Sequence, residues 1–78
     1  MSNYLYKGVN TMKFNLTFYF KDGTDMKAKP GGYFTNLSQT FIEIEQNIRS
    51  NRHIIGVNEQ GEEFKKYYKD IKSISIDF

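Results

Sequence analysis

Hydrophobic and polar residues alternate without interruption between Lys13 and Lys21. A β-strand turns successive side chains to opposite faces, so this period of two predicts a strand with one apolar face. Four residues make up that face: Phe14, Leu16, Phe18 and Phe20. Burying such a face contributes roughly 6–12 kcal/mol of gross transfer free energy, so we expect this strand to lie at the centre of a sheet.

The segment after this strand predicts a hairpin. Asp22 and Gly23 are typical of a tight two-residue turn in which both residues take positive φ. The return strand, over residues 24–29, turns Met26 and Ala28 inward. Its low apolar content and its lysines are typical of a strand at the edge of a sheet.

Residues 36–52 have the one clear helical period in the sequence. Apolar residues at successive spacings of four, three and four fall on one side of a helix, and they predict the side that packs on the sheet. These residues are Leu37, Phe41, Ile44 and Ile48. The polar residues between them are expected to stay in water, and they are Thr40, Glu43, Gln46 and Asn47.

Both ends of the predicted helix carry capping signals. The Asn36 side chain can accept hydrogen bonds from first-turn amides, and Gln39 is placed to complete a capping box. Asn51 can take the left-handed conformation that ends a helix. Just before the helix, Tyr33 and Phe34 are expected to pin the connection to the core.

Three further strands are predicted after the helix, over residues 53–58, 62–68 and 72–78. In the first two, Ile55 and Val57 share one face, and Phe64 is expected to pack across from them. The alternation breaks after residue 66, which predicts a bulge or one helical turn near residues 68–71. The last strand is expected to bury its apolar residues, Ile74, Ile76 and Phe78.

The predicted element order is ββ-α-βββ, which defines a small α+β domain. We expect one antiparallel-dominated sheet with the helix packed on one face. The order is similar to that of β-grasp domains, which also begin with a hairpin, cross by a helix and return through strands. That resemblance concerns element order alone and brings no functional residues with it, and a plain antiparallel sheet fits equally well. A chain of 78 residues allows one domain, over residues 12–78, preceded by an arm at residues 1–11.

Composition indicates the setting in which the protein acts. The 78 residues include no cysteine, which excludes disulfides and thiolate metal sites among them. No stretch approaches the roughly 18 apolar residues that span a bilayer, so we expect a cytoplasmic protein without a membrane partner. Lys, Asn, Ile, Tyr and Phe, which have AT-rich codons, make up 37 of the 78 residues. This composition resembles that of phage and mobile-element accessory proteins from low-GC bacteria.

Catalytic and metal-binding patterns are not found in the sequence. His53 is the single histidine, and no carboxylate or further ligand stands near it at the spacing of a general base or a metal site. The glycines at 31 and 32 lack the lysine that a phosphate-binding loop places at its helix start. We therefore expect a protein that is not an enzyme and has neither a cofactor nor a metal.

One basic and aromatic segment predicts an alternative function, the binding of single-stranded nucleic acid. Lysines can neutralise phosphates while a tyrosine stacks on bases. The candidate residues are Lys65, Lys66, Tyr67, Lys69 and Lys72. Three acids within residues 62–72 reduce the local charge from +4 to about +1, so a binding face needs them to point away.

Tyrosine supports the leading hypothesis, which is the binding of a protein partner. A domain of this size cannot bury all six of its tyrosines, and tyrosine is enriched at protein interfaces. The candidate interface residues are Tyr19, Tyr33, Tyr67 and Tyr68. We expect a small binding module that inhibits or modulates a host protein, with a homodimer as a further option.

Overall fold

The computed structural model describes residues 12–57 and 60–78, with Val57 described by its backbone alone. Its elements are β1 (Asn15–Phe20), β2 (Asp25–Lys27), α1 (Leu37–Arg49), β3 (His53–Val57), β4 (Glu63–Tyr67), a 3₁₀ turn (Tyr68–Asp70) and β5 (Ile71–Asp77). The predicted α+β class and ββ-α-βββ order are confirmed. The arm predicted at residues 1–11 lies outside the described residues.

β1 lies at the centre of a three-stranded antiparallel sheet with the order β2-β1-β5, as its alternation predicts. Its inward side chains are at most 3% exposed, and they are Phe14, Leu16, Phe18 and Phe20. Ile44 of α1 belongs to the same buried cluster, so the helix packs on this face of the sheet. The predicted edge position of β2 is also confirmed, with Met26 and Ala28 packed against the cluster.

The β1–β2 hairpin turns through three residues, Lys21 to Gly23, so the prediction of a two-residue turn is wrong. The Phe20 amide donates to the Thr24 carbonyl at 2.8 Å, and the Gly23 amide donates to the Phe20 carbonyl at 3.0 Å. Gly23 takes a φ of +90°, whereas Asp22 does not take positive φ. The Asp22 carboxylate instead accepts hydrogen bonds from the amide and hydroxyl of Thr24, which closes the turn without a second left-handed residue.

β5 pairs antiparallel with β1, with one irregularity in register near the start of β5. Leu16 lies opposite Ile76, and Phe18 lies opposite Ile74. Ile74 is half-buried on the core, but Ile76 is 38% exposed and Phe78 is 76% exposed. The prediction that all three are buried is therefore wrong for the last two. The reason is that β5 is an edge strand within the described residues, so its side chains have a neighbouring strand on one side.

β3 and β4 form a separate two-stranded antiparallel sheet, so the prediction of a single sheet is wrong. The predicted helical turn after β4 is confirmed as the 3₁₀ turn, and it leads the chain from one sheet to the other. The Lys21 amide donates to the Asp70 carbonyl at 2.9 Å, and the Tyr68 amide donates to the Arg52 carbonyl at 3.1 Å. These bonds tie the 3₁₀ turn to the first hairpin and to the start of β3.

The second sheet turns Ile54, Gly56, Phe64 and Lys66 toward the inside of the molecule. A Cβ atom at Gly56 would lie 2.5 Å from Cζ of Phe64, so the ring occupies the space that a side chain would need. Ile54 packs against the core, whereas Ile55 is 64% exposed. The prediction that Ile55 packs with Phe64 is therefore wrong by one residue, because Gly56 rather than an isoleucine lies opposite the ring.

α1 begins and ends where the capping signals predict. The Asn36 side chain accepts a hydrogen bond from the Gln39 amide at 3.0 Å, but the Gln39 side chain donates to a neighbouring glutamate, so the capping box is not completed. Asn51 takes a φ of +56°, and the Arg52 amide donates to the Asn47 carbonyl in a Schellman motif. Within the described residues, no helix has the length and apolar content needed to cross a membrane.

The buried side of α1 is rotated away from the predicted apolar stripe. Thr40 and Ile44 are each 7% exposed, whereas Leu37 and Ile48, which the stripe predicts on the sheet side, are 37% and 40% exposed. The prediction that Thr40 stays in water is wrong, because its hydroxyl donates to the Asn36 carbonyl at 2.7 Å. That bond satisfies the hydroxyl within the helix, so the rest of the side chain can pack as an apolar group.

The connection before α1 is pinned by one of the two predicted aromatic residues. Phe14 and Phe34 exchange two backbone hydrogen bonds, at 3.1 and 2.8 Å, and their rings stack with centroids 5.6 Å apart. Phe34 therefore joins the edge of the core. Tyr33 is 60% exposed, so the prediction that it anchors the connection is wrong.

Candidate protein-binding surface

The outward side of β3 and β4 carries four exposed residues that we call the hairpin face: His53, Ile55, Lys65 and Tyr67. Cross-strand pairing places His53 opposite Tyr67 and Ile55 opposite Lys65. Residues two apart on a strand share one side, so the four side chains form one group. The second sheet thus exposes one aliphatic side chain, two aromatic side chains and one cationic side chain to solvent.

Tyr67 lies within reach of cations on the hairpin face. Nζ of Lys65 is 5.8 Å from the centroid of the Tyr67 ring, and Nζ of Lys69 is 5.4 Å from it. Both distances lie within the range of a cation–π interaction. The His53 ring meets the Tyr67 ring edge-on, with centroids 6.1 Å apart and an angle of 75°. Three neighbouring side chains therefore lie around the Tyr67 ring.

The charge around Tyr67 is positive. Lys65 and Lys69 are both exposed beside its ring. Glu63 lies on the same side of β4 but at the other end of the strand, opposite Val57. A partner that carries aspartate or glutamate would therefore complement this end of the hairpin face.

A groove of about 460 Å³ lies behind the hairpin face, between β4 and the first hairpin turn. Its lining residues are Phe20, Lys21, Asp22, Lys65, Lys66, Tyr67 and Asp70. Lys66 points into this space, where its ammonium forms an ion pair with Asp22 and lies 5.7 Å from the centroid of the Phe20 ring. Because Asp22 neutralises the Lys66 ammonium, Lys66 adds little to the positive charge of the hairpin face.

The Asp22 carboxylate of this ion pair stays ionised because hydrogen bonds lower its pKa. The hydrogen bond from Lys66, followed by those from the hydroxyl and amide of Thr24, keeps the pKa of Asp22 well below its ordinary value of 3.8. The carboxylate is therefore ionised at neutral pH. The Asp22–Lys66 pair links the first sheet, at its hairpin turn, to β4 of the second sheet.

The four tyrosines predicted as an interface lie in different parts of the structure. Tyr67 lies on the hairpin face, and Tyr19 is 40% exposed on the outer side of the three-stranded sheet. Tyr33 is 60% exposed near the connection to α1. Tyr68 is half-buried and packs edge-on against Phe18, with centroids 6.1 Å apart. The structure therefore brings only Tyr67 to the hairpin face and places Tyr68 against the core.

The residues predicted to bind nucleic acid are also divided. Lys65, Tyr67 and Lys69 lie together around the hairpin face. Lys66 lies on the inward side of β4 in its ion pair, and Lys72 is exposed at the start of β5. Three of the five candidates therefore share one surface.

Two residues of the hairpin face are absent from the sequence-based candidates, namely Ile55 and His53. The sequence pattern predicts a buried Ile55, but Gly56 contains the signal that places it outside. Gly56 has no side chain, and the Phe64 ring fills the space on its inward side. Successive residues of a strand face opposite sides, so Ile55, the residue before Gly56, faces outward. The approach of His53 to Tyr67 depends on the β3–β4 register, which the sequence pattern does not determine.

The described residues contain no cluster of candidate metal ligands. Within residues 12–57 and 60–78, no three His, Asp or Glu side chains form a group that could hold a metal ion.

Comparison of the chain with protein-family models, curated proteins and solved structures gives no significant match.

Proposed function

We propose that this protein is a small non-enzymatic binding module that recognises a protein partner through the hairpin face. The observation that supports this proposal is the 64% exposure of Ile55 beside Tyr67, which is itself flanked by two lysines. An aliphatic and an aromatic group at the centre with cations around them is typical of a protein interface. Such a face fits a partner surface that combines an apolar depression with acidic residues.

Tyr67 is the expected centre of this interaction. A tyrosine gives a large contact area at low entropic cost, and alanine substitution of such residues often weakens binding by about 2 kcal/mol or more, roughly 30-fold. Lys65 and Lys69 are expected to act mainly on the association rate and its salt dependence, because exposed charges steer an encounter more than they stabilise the complex. Substitution of Tyr67 is therefore expected to lower the affinity, whereas substitution of the two lysines is expected to lower the association rate.

The composition supports a narrower form of the proposal. The AT-rich residue usage resembles that of phage and mobile-element accessory proteins, which often act inside a bacterial host cell. A chain of 78 residues is small, so we expect it to act by occupying a site on a host protein and thereby inhibiting or modulating that protein. In this form of the proposal the protein works in the cytoplasm.

Single-stranded nucleic acid is a second candidate ligand, because Lys65, Tyr67 and Lys69 share one surface. Two features favour a protein instead. The ammonium groups of both lysines lie over the Tyr67 ring, where a stacked base would have to sit. In addition, Lys66 is neutralised by Asp22, so fewer cations are available for phosphates.

The experiment that separates the two ligands is capture from a lysate of the native host, with the full chain as bait, with and without nuclease. We expect one protein to be retained after nuclease treatment. The variant Lys65→Glu/Lys69→Glu should recover much less of it, whereas Lys27→Glu, which changes an exposed lysine of β2 on the other sheet, should recover it fully. Recovery that depends on intact nucleic acid would support the alternative, and recovery of the bait alone would contradict both.

A further inference from the structure

β5 has one strand neighbour within the described residues, although it is the longest of the five strands. Its other edge therefore presents a row of backbone N–H and C=O groups, which can accept a further strand. β2, at the opposite edge of the sheet, is three residues long and is followed by Lys29 and Pro30, which discourage strand addition. By contrast, the centre of β5, residues 73–76, carries no charge.

The apolar layer of the first sheet continues to this edge. Ile76 and Phe78 occupy inward-facing positions on the β5 side, yet they are 38% and 76% exposed. The Phe78 ring lies 6.3 Å from the ring of the buried Phe14. The hydrophobic core of the sheet therefore extends to the β5 edge, which has no strand neighbour among residues 12–57 and 60–78.

We propose that β5 pairs antiparallel with β5 of a second copy of this chain, about a two-fold axis at Ser75. Residues that lie opposite each other in an antiparallel pair point to the same side of a sheet, so only registers that match inward with inward positions keep one continuous apolar layer. An axis at Ser75 meets that condition. It places Ile74 opposite Ile76 of the second copy, and Ser73 opposite Asp77 of the second copy.

Three properties of the strand select a second copy as the occupant. In this register Asp77 lies opposite Ser73 of the second copy, one residue from Lys72, so each end of the paired strands brings an acidic residue near a basic one. The pairing covers the exposed Ile76 with Ile74 of the second copy, which joins two apolar layers. It also extends two three-stranded sheets into one continuous sheet, with the closed two-fold symmetry that is common among small oligomers.

The lack of cysteine in the chain allows a direct test of the axis. Ser75→Cys would place two thiols opposite each other, with Cβ atoms about 4.5–5.5 Å apart. Mild oxidation should therefore link two copies of this variant covalently. Ser73→Cys is the matched control, because it lies on the same side of the same strand, but its two introduced thiols would be about 13 Å apart, too far for a disulfide.

Sedimentation of the full chain measures the same association without a cross-link. We expect a mass of twice 9.2 kDa that falls to the monomer on dilution. Ile76→Lys should weaken dimerisation at least tenfold while far-ultraviolet circular dichroism stays unchanged. Ile55→Lys changes an equally apolar residue on the hairpin face, and it should leave the dimer intact.

Two results would overturn the dimer: a full chain that sediments as a monomer at every concentration, or Ser73→Cys linking as efficiently as Ser75→Cys. If Ile76→Lys unfolds, the comparison of the two cysteine variants still decides. The dimer does not depend on the proposed partner, since the hairpin face and the β5 edge lie on separate sheets. Loss of partner capture with an intact dimer, or the reverse, would therefore separate the two proposals.

Discussion

At the scale of single residues, Gly56 is the described glycine at which an added Cβ would meet the closest neighbouring atom. Replacing Gly with Ala in a strand normally stabilises a protein slightly, because it reduces the freedom of the unfolded chain. At Gly56 the new Cβ would lie 2.5 Å from Cζ of Phe64, so the ring or the strand has to move. We expect Gly56→Ala to lower the free energy of unfolding by about 1–3 kcal/mol, measured by urea denaturation.

Gly32→Ala is the matched control for this prediction. Its new Cβ would meet only the flexible Lys29 side chain, at 3.1 Å from Cγ, so the side chain can move away. We expect a change within about 0.5 kcal/mol. Equal stability of the two variants would show that the Phe64 ring does not constrain Gly56.

The four predicted interface tyrosines differ in what they do for stability. Tyr68 packs on Phe18 at the core, whereas Tyr33 is 60% exposed. We expect Tyr68→Ala to lower the free energy of unfolding by about 2–4 kcal/mol and Tyr33→Ala by less than about 0.5 kcal/mol, as measured by denaturant unfolding. A decrease in the free energy of unfolding as small as that of Tyr33→Ala would contradict the role of Tyr68 in the core.

At the scale of elements, local signals are sufficient to predict what forms and in which order. The alternation around Phe18 predicts β1 and its central place, and Asn36 and Asn51 predict the ends of α1. These features depend on neighbouring residues alone. The element order follows from them, which is why it is confirmed.

Two features that the sequence predicts wrongly depend on contacts between separate segments of the chain. The division into two sheets follows from how the 3₁₀ turn bonds to Lys21 and Arg52, which no local period contains. The outward position of Ile55 depends on the meeting of Gly56 with Phe64 across the hairpin. The sequence thus predicts Lys65, Lys69 and Tyr67 at the candidate site, but neither Ile55 nor His53.

The Asp22–Lys66 pair makes a testable link between the two sheets. Because its hydrogen bonds lower the pKa of Asp22 in the folded state, the pair stabilises the fold fully above the ordinary value of 3.8, and this stabilisation is lost as the pH falls through the lower folded-state pKa. We expect Asp22→Asn to be less stable than the parent at neutral pH, with the difference shrinking under strongly acidic conditions. Thermal unfolding of Asp22→Asn and of the parent, from neutral to strongly acidic pH, measures this difference in stability.

Asp25→Asn provides the control for this pH dependence. Asp25 is an exposed carboxylate on the neighbouring strand β2, close to Asp22 along the chain. Its replacement should change the stability at neutral pH less than Asp22→Asn does, because Asp25 lies outside the Asp22–Lys66 pair. A gap between Asp22→Asn and the parent that stays constant down to strong acid would contradict a stabilising role for the charged pair.

At the scale of the whole molecule, the fold separates two surfaces. The first sheet holds most of the core and ends at the β5 edge, while the second sheet carries the hairpin face. The 3₁₀ turn and the Asp22–Lys66 pair connect them. The proposed self-association and the proposed partner binding therefore use different surfaces, so a dimer would present two hairpin faces.

The central claim is that a protein partner binds at the hairpin face. It is tested most directly by capture from nuclease-treated host lysate, comparing Ile55→Ser/Tyr67→Ser with Tyr19→Ser/Tyr33→Ser, once circular dichroism shows that both variants are folded. Each variant replaces two exposed apolar residues, but only the first pair belongs to the hairpin face. We predict that the first variant loses the captured protein and that the second retains it. Equal recovery by both would contradict the assignment of binding to the hairpin face.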